Sequence, residues 1–109
     1  MNEILEQALL YDFYGELLTE HQKEIYEQFI IEDLSLSEIA TDAGISRQGV
    51  HDMIKRCNKI LQGYEEKLHL VEKFLSVKNK IHEMKGLLEQ EDPDMQLVKK
   101  ISDEIIEEL

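Results

Sequence analysis

The sequence contains little of what turns, disulfides and membrane spans require. Its 109 residues include one proline, five glycines and one cysteine, and no tryptophan. This scarcity of turn-forming residues disfavours a β-sandwich or barrel, in which turns recur every several residues. A lone Cys57 builds neither a disulfide framework nor a metal cluster. No apolar stretch approaches the length that crosses a bilayer. The sequence therefore predicts an all-α protein.

The N-terminal residues are acidic where a signal peptide would be basic. The chain begins Met1-Asn2-Glu3-Ile4-Leu5-Glu6, which lacks the positively charged region of a secretory leader. We therefore expect a cytoplasmic protein. Its length allows one domain with a modest core.

Positive charge is scarce and unevenly distributed. The formal net charge is -12. Residues 1–34 carry nine acids and one base (-8), residues 35–63 three acids and four bases (+1), and residues 64–109 twelve acids and seven bases (-5). Affinity for nucleic acid depends largely on counterions released from phosphate. The net negative charge therefore argues against a protein that binds DNA irrespective of its sequence. It is compatible with a specific or weak nucleic-acid binder, or with a protein binder.

Apolar spacing and capping patterns predict three short helices in the first half of the chain. The first runs from about Asn2 to Phe13. Thr19 with Gln22, and Ser35 with Glu38, each have the form of a capping box that opens a helix.

The turn after the third short helix has its own signals. Gly44 stands where a left-handed residue ends a helix, since glycine has no Cβ to clash there. Ser46 is a favourable N-cap for the helix that follows.

A long helix is predicted from Arg47 to the helix breaker at Asp92-Pro93, roughly 40 residues against a usual mean of about 11–12. The residues most able to bend or end it are Gly63 and Gly86. Asp92 is then expected to cap a last amphipathic helix, with Pro93 at its first position. This last helix can fold back along the long helix, dock onto a second subunit, or do both.

Two apolar rows follow one another along the long helix. The first consists of Val50, Ile54, Cys57, Leu61, Tyr64, Leu68, Val71 and Leu75, and the second of Leu70, Phe74, Val77, Ile81, Met84 and Leu88. A small three-helix domain cannot cover both rows, so the distal part needs a partner. We expect residues 1–63 to form a helix-turn-helix domain. Residues 64–109 are expected to form a helical extension that mediates a homodimer, the commonest symmetric assembly.

A helix-turn-helix is predicted at Leu36–Lys55. The motif needs a small residue where its two helices touch, a glycine in the turn, and apolar inner faces. Ala40 and Gly44 fill the first two positions, while Val50 with Met53 or Ile54 faces inward from the second helix. Several positions match at once, so the pattern is far more specific than one glycine.

The outward face of the second helix gives the candidate nucleic-acid-binding residues. In a DNA-reading motif, the N-terminal part of this helix reaches base edges. Arg and Gln suit bidentate contacts with guanine and adenine, and Asp52 on the same face can accept from cytosine. The candidates are Ser46, Arg47, Gln48, His51, Lys55, Arg56 and Lys59. The alternative is an ordinary exposed face on a protein-docking module, because a fold does not fix a function.

Several blocks of sequence resemble the YlxM family. They are Tyr11–Thr19, Glu32–Ala40, Gly44–Val50, Lys55-Arg56 and Tyr64–Leu68, so the likeness covers at least residues 11–75. The resemblance implies a helix-turn-helix similar to region 4 of bacterial sigma factors. It also implies DNA binding, and a role as accessory or regulator in the signal recognition particle pathway. That role would bring contact with the particle's RNA or its protein GTPase.

No catalytic, metal or cofactor grouping is evident, so we expect a protein that is not an enzyme. The four histidines include no pair four residues apart on one helix, and Cys57 falls on the inward row, where a thiol is inert. Two functions from different classes remain. One is nucleic-acid binding through the candidate residues. The other is a protein-interaction module whose acidic surfaces meet the particle's basic GTPase.

Overall fold

The computed structural model describes residues 3–109 and shows six α-helices without a β-strand in that range. The helices are α1 Glu3–Tyr14, α2 Glu20–Ile30, α3 Leu36–Ala43, α4 Arg47–Leu68, α5 Leu70–Leu88 and α6 Met95–Glu108. The predicted all-α class is thereby confirmed. The helices form two compact units, one ending at Leu68 and the other beginning at His69. The sequence placed the domain boundary five residues earlier, after Gly63. Each helix from residue 3 onward is too short or too polar to span a bilayer.

A tight 3-10 turn, Gly15–Leu17, joins α1 to α2. The predicted start of α1 at Asn2 lies outside the described residues, and its end at Tyr14 is one residue later than predicted. A Cβ on Gly15 would lie 2.7 Å from Cε1 of Tyr11. Glycine at this position therefore allows the tyrosine ring to pack directly on the backbone of the turn.

Both predicted capping boxes are present. The Thr19 hydroxyl accepts from the N–H of Gln22 at 3.2 Å, and Gln22 accepts from the N–H of Thr19 at 3.0 Å. Ser35 and Glu38 exchange the equivalent pair of bonds, each 3.1 Å long. Gly44 ends α3 in the left-handed conformation, with φ of 71°, as predicted.

The core of the first unit is built around α4. Its buried apolar side chains are Leu10, Tyr14, Leu18, Ile25, Tyr26, Ile39, Ala40, Val50, Ile54, Cys57 and Leu61. The four from α4 recur at spacings of four and three, so α1, α2 and α3 all pack against one stripe of this helix. Burial raises the pKa of the Cys57 thiol, with a smaller opposing effect of Arg56. This disfavours the thiolate, the reactive form.

The predicted 40-residue helix is wrong. Helical conformation ends at Leu68, His69 adopts a left-handed conformation with φ of 55°, and α5 begins at Leu70. The break falls at neither Gly63 nor Gly86, which both lie inside helices. The apolar spacing continues through His69 and therefore contains no signal of the break.

The second unit is a hairpin of α5 and α6. Lys80 forms salt bridges from α5 to Glu108, at 3.0 Å, and to Glu104, at 3.9 Å. Hydrogen bonds from Ser76 and Lys80 lower the pKa of Glu108. Val98 and Ile101 are the residues of α6 buried in the hairpin. The terminal helix therefore folds back along the helix that precedes it.

The predicted N-cap of the last helix is displaced by two residues. Asp94 accepts from the N–H groups of Gln96 and Leu97, at 3.1 and 3.2 Å, and α6 begins at Met95. Pro93 thus precedes the cap and is not the first helical residue. Asp92 and Asp94 carry the same capping group, so the pattern alone did not distinguish them.

Two glycine substitutions should change stability in opposite directions. A Cβ would meet nothing within 4 Å at either Gly44 or Gly63, so neither alanine clashes. Gly44→Ala should lower the free energy of unfolding by about 1–2 kcal/mol, because its positive φ disfavours any Cβ. Gly63→Ala, in the middle of α4, should raise it by up to about 1 kcal/mol. Urea unfolding followed by circular dichroism measures both. Equal effects of the same sign would contradict the assigned conformation of Gly44.

Candidate nucleic-acid interface

The predicted helix-turn-helix is formed by α3 and α4, which pack against each other across a short turn. Ile39 and Ala40 lie buried on the inner side of α3. Val50 and Ile54 lie buried on the inner side of α4, whereas Met53, the other candidate for this position, is half-buried. The small Ala40 side chain suits the close approach of two helices.

Ser46 caps α4. Its hydroxyl accepts a hydrogen bond from the N–H of Gly49 at 2.9 Å, the bond that an N-cap residue makes three residues into a helix. A Cβ on Gly49 would lie only 3.2 Å from this hydroxyl oxygen. The predicted contact residue Ser46 therefore already has a structural role.

The candidate residues form an exposed face of α4. Those concerned are Ser46, Arg47, Gln48, His51, Lys55, Arg56 and Lys59, and all seven are exposed. None of the four cations among them forms a salt bridge with a carboxylate of residues 3–109. Lys23 differs, because its ammonium group lies 3.0 Å from Glu16. The cations of α4 are thus available to an external anion.

Asp52 lies among these cations and engages two of the candidate residues. Gln48 donates from Nε2 to Oδ1 of Asp52 at 3.0 Å, and Nδ1 of His51 lies 3.6 Å from the same oxygen. The carboxylate orients Gln48 by this hydrogen bond and lies close to His51, but it repels phosphate. Sequence reasoning placed Asp52 on this face without recognising these contacts, although the four-residue spacing to Gln48 is that of an intrahelical pair.

A groove lies along one edge of the candidate face. Its volume is about 230 Å³, below the usual 300–1,000 Å³ of small-molecule sites. His51 and Lys55 lie at its rim, and the lining residues are Gln7, Phe29, Leu36, His51, Ile54, Lys55 and Asn58. The sequence did not predict that Gln7, Phe29 and Asn58 line one groove, because they come together only through the packing of helices that are far apart in the chain.

Tyrosines attach α4 to the helices before it. The Tyr26 hydroxyl on α2 donates to Oδ1 of Asn58 on α4. The Tyr14 hydroxyl on α1 donates to Oε1 of Glu65 at 2.5 Å. The Tyr14 ring also stacks on Tyr64, with centroids 6.1 Å apart. These bonds fix the rotation of α4 and hence the direction of its exposed face.

A second bond of this kind joins α1 to α2. The Tyr11 hydroxyl donates to Oε1 of Glu27. Burial, together with the adjacent Glu27 carboxylate, raises the pKa of Tyr11. Burial likewise raises the pKa of Tyr26. Both phenols therefore hold their protons more tightly in the folded state than in the unfolded chain.

Comparison with known proteins establishes the family. The model of the family described as "Putative helix-turn-helix protein, YlxM / p13 like" matches residues 1–106. The chain belongs to this family. The resemblance predicted from residues 11–75 is thereby confirmed and extends over nearly the whole chain.

Relatives of similar length support this membership. A UPF0122 protein of Thermoanaerobacter sp. (strain X514) is 41% identical over 112 aligned residues, which cover 97% of this chain and 96% of that protein. One of Acetivibrio thermocellus is 52% identical over 84 residues, covering 77% of this chain and 72% of that protein.

Alkaline pH should destabilise the first unit through its buried phenols. A raised folded-state pKa means that the stabilising contribution is fully present below about pH 10, the unfolded value, and is lost as pH rises above it. Tyr26→Phe should lower the free energy of unfolding at pH 7 by about 1 kcal/mol, since Asn58 loses its donor. It should also make the fall above pH 10 shallower. Denaturant melts across this pH range test both effects, and an unchanged alkaline slope would contradict the role assigned to Tyr26.

Proposed function

We propose that the exposed face of α4 binds nucleic acid, and that the protein acts as a regulator or accessory factor of the signal recognition particle pathway. One observation carries this proposal. In a chain of net charge -12, the four cations Arg47, Lys55, Arg56 and Lys59 share one exposed helix face and form no salt bridge with residues 3–109. Unpaired cations on one face are what phosphate binding requires.

The order of side chains along α4 suits a helix entering a groove. Arg47 and Gln48 stand at the N-terminal end, from which recognition helices reach base edges. Lys55, Arg56 and Lys59 follow within about 18 Å at 1.5 Å per residue, within reach of backbone phosphates. This is the arrangement expected of a motif similar to region 4 of sigma factors. Because acidic surroundings suppress non-specific attraction, the preferred ligand should be a particular site in DNA or the particle's RNA.

The test is a salt-dependent titration against duplex DNA and signal recognition particle RNA. The Arg47→Glu, Lys55→Glu double variant should weaken binding by about 100-fold or more and reduce the salt slope by about two. Asp52→Asn should strengthen binding about twofold, since it removes the carboxylate that repels phosphate but keeps the oxygen that accepts from Gln48.

A matched control distinguishes the effect of the α4 face on affinity from the effect of the overall net charge. Lys99→Glu with Lys100→Glu makes the same charge change at two exposed positions of α6, and should leave affinity nearly unchanged. Equal losses in both double variants would show that binding follows overall charge. No binding of either nucleic acid at low salt would overturn the proposal.

An acidic face favours a second candidate function, docking onto the particle's basic GTPase. Glu20, Glu24 and Glu32 are exposed on and after α2. The one nearby cation, Lys23, is already paired with Glu16 and Glu20. Complementary charge would raise the rate of association with a basic partner.

The second function predicts a different set of sensitive residues. Glu24→Gln with Glu32→Gln should slow association with the purified GTPase and leave nucleic-acid binding intact. Glu27 is excluded from this variant because it accepts the Tyr11 hydrogen bond, so its loss would also disturb the fold. Surface plasmon resonance gives the association rate. Docking by α2 would be refuted if the Arg47→Glu, Lys55→Glu variant associated more slowly with the GTPase while the Glu24→Gln, Glu32→Gln variant associated at the wild-type rate.

A further inference from the structure

One groove of the first unit has no carboxylate among the described residues that line it. This groove, here called the His51 groove, is lined by Gln7, Phe29, Leu36, His51, Ile54, Lys55 and Asn58. Two other grooves of the same unit are acidic. One contains Glu20, Glu24 and Glu27, and the other contains Glu24 and Asp42. A ligand that carries phosphate is therefore repelled from those two grooves but not from the His51 groove.

A row of basic side chains passes along the rim of the His51 groove. The row consists of Arg47, His51, Lys55 and Lys59, which are successively four residues apart. This spacing places them on successive turns along one side of α4, each about 6 Å further along the axis. The middle members, His51 and Lys55, belong to the groove itself. A strand whose phosphates contact this row therefore passes the mouth of the groove.

The walls of the His51 groove include an aromatic ring. Phe29 lies there with Leu36 and Ile54, and it is half-buried, so part of its surface remains accessible. Unstacked bases of single-stranded nucleic acid pack against aromatic rings of this kind. The volume of about 230 Å³ is small beside that of a site for a drug-sized molecule, but it admits one planar base.

Two amide side chains supply hydrogen-bonding groups for the edge of a base. The Tyr26 hydroxyl donates to Oδ1 of Asn58, so the NH₂ group of Asn58 is the half of this amide left to donate to a ligand. Gln7, on α1, carries a donor and an acceptor side by side. Such a pair matches the edge of adenine, with which Gln side chains form bidentate contacts.

We propose that the His51 groove binds one unpaired base of an RNA loop or bulge, while the basic row contacts the phosphates on either side of that base. This inference rests on the proposed function, since the groove borders the nucleic-acid face of α4. Side chains cannot read the deep, narrow major groove of A-form RNA, so sequence recognition in RNA targets unpaired bases. A base of duplex DNA would first have to leave its stack, at a cost in free energy that an RNA loop does not bear.

The first experiment compares two RNAs of equal length and charge, a hairpin with an unpaired loop and a duplex with every base paired. The wild type should bind the hairpin about tenfold more tightly. Phe29→Leu should remove this preference, because leucine keeps an apolar side chain but not the ring. It should leave duplex affinity and the salt slope unchanged, since no charge is lost. Fluorescence anisotropy measures all four affinities.

A matched control tests whether the effect belongs to the groove. Phe13→Leu makes the same change at a 38% exposed position of α1, and should leave both affinities unchanged. An equal loss of hairpin binding in Phe13→Leu and Phe29→Leu would contradict the assignment of the base to the His51 groove.

Removal of single bases from the loop identifies the occupant. Among hairpins that each carry one abasic loop position, one should lose about tenfold in affinity for the wild type. Phe29→Leu should lose nothing further against that hairpin, because the ring and the missing base form one interacting pair. Additive losses at every loop position would show that ring and base act at different places, and would overturn the proposal.

Gln7→Met gives a second readout should Phe29→Leu disturb the fold, which circular dichroism would reveal. Methionine keeps the length of the side chain but removes its donor and its acceptor. Hairpin affinity should fall about threefold or more while duplex affinity stays unchanged. An unchanged hairpin affinity in both Gln7→Met and Phe29→Leu would refute the groove as the site of the base.

The remaining outcomes separate this inference from the proposed function. Equal wild-type affinity for hairpin and duplex, with both lost in the Arg47→Glu, Lys55→Glu variant, overturns the role of the His51 groove but not that of the α4 face. Binding of duplex DNA without either RNA does the same. No binding of any nucleic acid overturns both. A DNA hairpin of the same loop sequence that binds more tightly than the RNA refutes RNA as the ligand.

Discussion

The first unit depends on one constraint, the burial of a single stripe of α4. Val50, Ile54, Cys57 and Leu61 all lie in the core, against three other helices. An α-helix with one side fixed in this way has no freedom to rotate, so its opposite side must face solvent. The Tyr26–Asn58 hydrogen bond tightens the same constraint, because it allows one rotational setting of α4 against α2. The candidate face is therefore a consequence of the core.

Charge is distributed unevenly between α4 and the helices that pack against it. The helices that support α4 carry most of the acids of the first unit, and the one basic residue among residues 1–34, Lys23, is neutralised by its neighbours. Arg47, Lys55, Arg56 and Lys59 of α4 form no salt bridge with residues 3–109. A small cationic face on an acidic molecule attracts phosphate only at short range, where geometry matters as much as charge. Discrimination between ligands would then come from the contacts and not from the overall field.

Features that depend on near neighbours in the chain were predictable from the sequence. The two capping boxes, the left-handed Gly44 and the inward row of α4 each involve residues three or four positions apart, which helix geometry brings together whatever the tertiary fold. The groove beside His51 was not predictable, since Gln7 and Asn58 meet only through packing. The cap at Asp94 was missed because Asp92 offers the same chemistry. The break at His69 was missed because a residue with a Cβ rarely adopts positive φ.

His69 separates two helices that are adjacent in the chain. Its carbonyl accepts from the N–H of Lys73 at 3.0 Å, the first bond of α5, while its left-handed φ ends α4. Helix formation is cooperative only along an unbroken ladder. Each helix therefore has an end at His69, and helix ends open at a lower free energy than helix interiors.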